Sequence, residues 1–131
     1  DPDVYLNQDN RRMLTNFRNQ FGRLAGALVK QGKHNAAEKV MDRGLEKISN
    51  ENLPYGVFVI SFIRNYYHIG APDKARKHLE ILLHNLNQEM NYYVNLGEYT
   101  VQFPDDASRT MYALKRLGDI TKNYGDKQLS Q

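Results

Sequence analysis

The stretch LPYGVFVISFIRNYYHIG, residues 53–70, is the most apolar part of this 131-residue chain, and its reading decides the fold. The β-branched and aromatic run from Val57 to Ile63 is compatible with a buried strand, a membrane-seeking segment or the buried helix of a repeat. Alternation does not separate strand from helix, because nearly every residue of the run is apolar. The continuation does. Phe58, Phe62, Tyr66 and Ile69 recur at helical spacing, and the segment runs about fourteen residues before Gly70, too long for a typical strand. A membrane helix needs roughly 18–20 apolar residues, whereas Asn52 to Ile63 supplies twelve uncharged ones with Pro54 and Gly56 among them. The stretch reads as a buried helix, and no direct membrane span is expected.

On either side the pattern is helical too. Leu14, Phe17, Phe21, Leu24 and Leu28 alternate by three and four, which predicts one apolar stripe on a helix that closes at Gly32. Ala37, Val40, Met41, Gly44, Leu45 and Ile48 mark a second helix, ended by SNENLP. So short a connection makes the two helices antiparallel. Beyond Gly70, Pro72 suits the first turn of a helix. Its stripe of Ala75, Leu79, Leu82, Leu86, Met90, Tyr93 and Val94 reaches about Leu96, before Gly97. After FPDDASR, a last helix carries Met111, Leu114, Leu117, Ile120 and Tyr124 and stops at Gly125.

Shifting the chain by thirty-eight residues lays Phe21, Leu24, Ala25, Leu28, Gly32, Ala37, Met41 and Leu45 over Val59, Phe62, Ile63, Tyr66, Gly70, Ala75, Leu79 and Leu83. Glycine meets glycine at the reversal, and the small Ala37 and Ala75 let each second helix approach the first. This is similar to a tetratricopeptide-type hairpin, although the family's tryptophan and closing proline are absent and its usual period is about 34 residues. Leu117, Gly118 and Gly125 stand at the motif positions of a third first-helix. The expected fold is all-α: about two and a half repeats, with five to six helices in a right-handed array. The hairpins span about 9–48 and 54–96 and the terminal helix about 106–124, in one domain.

A narrower resemblance covers most of the chain. NRRMLTNFRNQFGRLAGALVKQGK, then LPYGVF, NYYHIG, MNYYVNL and KNYGDKQ, in that order, resemble the soluble C-terminal region of a family of Gram-negative bacterial multi-pass membrane proteins of unknown function. Those proteins are related to protein O-mannosyltransferases and other lipid-sugar-dependent glycosyltransferases. The resemblance implies a tetratricopeptide-like tail on the periplasmic side of the inner membrane, attached to a transferase domain absent from these residues. Where that family commonly has an acidic residue after PY, Gly56 stands here. The opening DPDVYLNQDN, with no basic and apolar leader, reads as a cut within a longer polypeptide.

Composition narrows the chemistry. Without cysteine there are no disulfides, thiolate nucleophiles or sulfur-bound zinc, and neither cytosol nor periplasm is singled out. No phosphate-binding glycine loop or nucleophile elbow is present. Histidines 34, 68, 78 and 84 lack ligand spacing and read as exposed or capping residues. Asp105 and Asp106, imaginable with Glu98 as an acid pair or cation site, read as helix-start caps. Gly22 and Gly26 read as a close helix contact rather than a membrane dimerisation face. No catalytic, metal-ligating or cofactor-binding residue is expected.

The net charge of +3 is spread through the chain, which argues against nucleic acid as a partner. One concentration stands out, Arg11, Arg12, Arg18 and Arg23. It is either a solvated helix face, the preferred reading, or a surface for anionic lipid or for an acidic face of the missing membrane domain. In each of the doublets Tyr66–Tyr67 and Tyr92–Tyr93, one ring is expected to pack and the other to be accessible. On a repeat, the first helices line a concave surface, and Arg64 and Tyr67, with Tyr112, Lys115, Asp119 and Lys122, are the candidate contacts for a peptide or neighbouring domain. The preferred function is non-catalytic docking to a protein. The alternatives are a freestanding helical ligand binder or enzyme and a nucleic-acid adaptor.

Overall fold

In the computed structural model, residues 8–97 and 105–125 are described, and all their regular structure is helical. Helix α1 spans Gln8–Lys30 and α2 spans His34–Lys47. A single 3-10 turn at Val57–Val59 leads into α3, Ile60–His68. Helix α4 runs Pro72–Gly97, and α5 runs Asp105–Ile120 and ends in a π-helical turn, Thr121–Gly125. No helix among the described residues is long and apolar enough to cross a membrane.

The α1–α2 and α3–α4 turns are the same, bond for bond. Gly32 and Gly70 both take positive φ, 76° and 87°, a backbone region that costs other L-residues roughly 1–2 kcal/mol. The amides of Gly32, Lys33 and Ala37 donate to the carbonyls of Val29, Leu28 and Lys33. Thirty-eight residues on, the amides of Gly70, Ala71 and Ala75 donate to Tyr67, Tyr66 and Ala71. Ala37 and Ala75 are both fully buried. The sequence offset therefore corresponds to a repeated local structure.

Packing follows from these turns. Phe21 faces Gly44 across the first hairpin, Tyr66 faces His78 across the second, and Thr110 of α5 donates to Glu89 of α4. These pairs set three antiparallel contacts. Helices α1 and α3 run alongside each other in parallel register, with Gly22 against Phe62 and Gly26 near Asn65. Tyr66, Phe62, Met41, Ile63, Leu82, Leu86 and Leu117 form the heart of one apolar core to which all five helices contribute.

Three faces differ from the sequence expectation. On α1 the inward residues are Arg18, Gly22 and Ala25, one position on from the apolar stripe, so Phe17 and Leu24 remain 47% and 51% exposed. Close approach to α2 and α3 selects the glycine and alanine face over the bulkier one. On α3 the helix begins later than expected: Phe58 lies in the 3-10 turn and is exposed, whereas Phe62 and Tyr66 are buried as the spacing predicts. On α5, Met111 is exposed while Ala113, Leu117 and Ile120 are buried, and Gly118 has open space around its Cα rather than a close helix neighbour.

Candidate functional site

An open groove of about 1110 Å³ lies between α1, α3 and α5. Helical spacing delivers its lining. Arg23, Gly26 and Lys30 lie along one face of α1; Arg64 and His68 are one turn apart on α3; Arg109, Tyr112 and Arg116 share a face of α5. Two contacts hold these faces together. A methyl group at Gly22 would sit 3.0 Å from the Phe62 ring, so glycine is what lets α1 approach α3 this closely. Tyr67 stacks on Tyr124, with centroids 5.6 Å apart and planes 11° off parallel, and this fixes the end of α5 against α3.

Among the described residues the groove wall holds five lysine and arginine side chains and no aspartate or glutamate. The ion pairs of the described residues use Lys74 and Arg76 and none of these five. Phe58 and Tyr112 add exposed aromatic surface, and Asn19 and Asn65 add amides.

Of the sequence-selected contacts, the structure brings Arg23, Arg64 and Tyr112 into this one groove. Lys115, Asp119 and Lys122 are exposed but do not line it; Lys122 borders a smaller cleft with Leu83, Leu114 and Leu117. Tyr67 is a correction: only 8% exposed beneath Tyr124, it is unavailable to a partner, so both rings of the first doublet pack. The second doublet behaves as expected, with Tyr92 exposed and Tyr93 half-buried.

The proposed basic face also divides. Arg11 and Arg12 are exposed away from the groove and Arg23 lines it. Arg18, by contrast, is buried and structural. Its guanidinium donates to the carbonyls of Ile48 (2.7 Å), Ser49 (3.1 Å) and Leu53 (2.6 Å), and it lies over the Tyr55 ring, 5.1 Å from its centroid. It satisfies carbonyls that the end of α2 leaves open and fixes the loop into α3. Burial pulls the Arg18 pKa down, with Tyr55 acting in the opposite direction.

The remaining ionisable cluster is packed into the scaffold. Tyr66 donates to Asp42 at 2.8 Å, and Lys74 joins Asp42 and Glu38 at 2.7 and 2.8 Å, linking the second helices of the two hairpins. Burial, reinforced by the bond to Asp42, raises the Tyr66 pKa. His78 lies flat against Tyr66, and its Nδ1 is 3.0 Å from the Tyr55 hydroxyl. Half-buried between these rings, it is neither exposed nor a cap as the sequence suggested, and burial, then Lys77, pushes its pKa down to about 4. His34, His68 and His84 are exposed, the first two with rings 6.1 Å apart. Among the described residues no three His, Asp or Glu side chains converge as a metal site. The side chains of Glu98, Asp105 and Asp106 lie outside the described residues.

The groove cations Lys30, Arg109 and Arg116 escape sequence reasoning. Lys30 stands on α1 and the two arginines on α5, far from it in the chain, and only the packing of the helices brings them to one groove. Comparison of the chain with known protein families, with characterised proteins and with solved structures gives no match.

Proposed function

We propose that this chain is a non-catalytic, tetratricopeptide-like docking domain, a right-handed array of about two and a half hairpins. It serves at the periplasmic C-terminus of a membrane protein related to O-mannosyltransferases. The observation that carries the docking reading is an open groove shared by α1, α3 and α5, the first helices of the successive hairpins. The repeated turns at Gly32 and Gly70 support the repeat assignment. The parent protein rests on the ordered succession from NRRMLTNFRNQF to KNYGDKQ. The buried Tyr55, His78 and Tyr66 cluster does not open onto the groove, so it reads as scaffold rather than as reacting groups.

The test is site-specific photo-crosslinking from position 112 in intact membranes, compared with position 84 outside the groove. The expected result is a discrete adduct from position 112 alone, with the protein's own membrane domain or a periplasmic partner. No adduct from either position would mark a passive spacer, and a full-length chain without multiple membrane-spanning segments would remove the parent assignment.

The basic groove favours one second reading, a nucleic-acid adaptor. That reading requires strongly salt-dependent binding to generic single strands, and a flat titration at low salt eliminates it.

A further inference from the structure

The groove's charge identifies its occupant more closely. We infer that it binds an extended acidic segment of a partner protein, an inference that rests on the docking reading above. Arg23, Arg64, Arg109 and Arg116 reach one concavity from three helices, and among the described residues its wall carries no carboxylate. Lys30 and His68 stand in the last turns of α1 and α3, where a cation offsets the helix dipole, so their positions have a local explanation. The four arginines do not share it. Arg109 in particular stands in the second turn of α5, far from the C-terminal end where a cation offsets the dipole. Guanidinium groups gathered in one groove favour a ligand that supplies carboxylates, which they bind through bidentate hydrogen bonds.

Two observations select protein over a polyanion. The net charge is only +3, and the groove's five lysines and arginines suit a few carboxylates better than a continuous phosphate backbone. The wall also mixes its cations with exposed aromatics and with the Asn19 and Asn65 amides. Phe58 and Tyr112, both about three-fifths exposed, offer a seat for an apolar side chain. The amides can pair with the backbone groups that an extended chain, unlike a helix, leaves open.

The probe is a short fluorescein-labelled peptide in which glutamates flank one phenylalanine, titrated against this chain by fluorescence anisotropy. The same peptide with lysine at every glutamate position is titrated beside it. The glutamate peptide is expected to bind, more weakly as salt rises, and the lysine peptide is not. The double charge reversal Arg64→Glu with Arg109→Glu, at two exposed positions, lowers affinity by roughly tenfold or more. Tyr112→Ala lowers it at unchanged circular dichroism and provides an independent arm.

Equal binding of the two peptides overturns the acidic preference and leaves docking in place, whereas binding of neither overturns both. Tighter binding of an oligothymidylate or of phosphatidylglycerol vesicles than of the glutamate peptide overturns the inference in favour of a polyanion.

Discussion

Arg18 and Ile48 are joined across the first hairpin, guanidinium Nη2 to carbonyl oxygen at 2.7 Å, and this bond ties the middle of α1 to the end of α2. The same side chain also reaches Leu53 and Ser49, so one buried cation organises the whole loop that leads into α3. Replacing Arg18 with Met leaves several carbonyls without a donor and is expected to lower unfolding free energy by about 2–4 kcal/mol. Arg18→Lys recovers only part of this, because one ammonium cannot reproduce the spread of the guanidinium fork. Urea denaturation of both variants measures it.

His78 makes stability depend on acid. Well above pH 6.5 the ring is neutral in both the folded and unfolded chain, so it adds no slope there. As pH falls from 6.5 towards 4, the unfolded chain takes up a proton that the packed ring refuses, and the folded state loses stability. The ring's partial contact with solvent limits the loss to about 1–2 kcal/mol. Urea midpoints measured between pH 7 and pH 4 should fall in the wild type and flatten over this window in His78→Gln.

Two helical glycines respond oppositely to a methyl group. At Gly44 an added Cβ would lie 2.8 Å from the Phe21 Cβ, which is fixed to backbone and cannot swing away. Gly44→Ala is expected to destabilise by about 1–3 kcal/mol despite its better helix propensity. At Gly26 the nearest atom, Asn65 Nδ2, is 3.9 Å away, and Gly26→Ala is expected to stabilise by about 0.5–1 kcal/mol. Thermal melts of the two variants should shift in opposite directions.

Tyr124 shields Tyr67. Removing its ring with Tyr124→Ala should cost about 1–2 kcal/mol and uncover Tyr67 to solvent. Nitration by tetranitromethane, mapped by peptide mass spectrometry, is expected to be slow at Tyr67 in the wild type and markedly faster in the variant. Tyr92, already exposed, serves as the internal reference.

How much of this was legible in the sequence depends on how local each cause is. The turns at Gly32 and Gly70 and the inward placement of Phe62 and Tyr66 follow from short-range spacing, and the structure has them as expected. Arg18 does not, because its partners are at least thirty residues away and a charge beside an apolar stripe reads as solvent-facing. Phe17 and Leu24 mislead for a related reason: hydrophobicity alone prefers their face, while close helix packing prefers that of Gly22 and Ala25. Tyr67 and Tyr124 are far apart in sequence, and no periodicity within α3 announces the ring that covers it. Of the candidate groove, Arg23, Arg64 and Tyr112 were visible; the rest required the third dimension.

The two hairpins are held unequally on their two sides. On the groove side the contact is glycine against the Phe62 ring, a hard apolar stop; on the back it is Lys74 with Glu38 and Asp42, whose side chains remain about a third to two-fifths exposed. Exposed ion pairs of this kind contribute at most about 1 kcal/mol each and weaken with salt. The hairpin junction therefore has one salt-insensitive side and one salt-sensitive side, and rising ionic strength is expected to loosen the back of the array before the groove side.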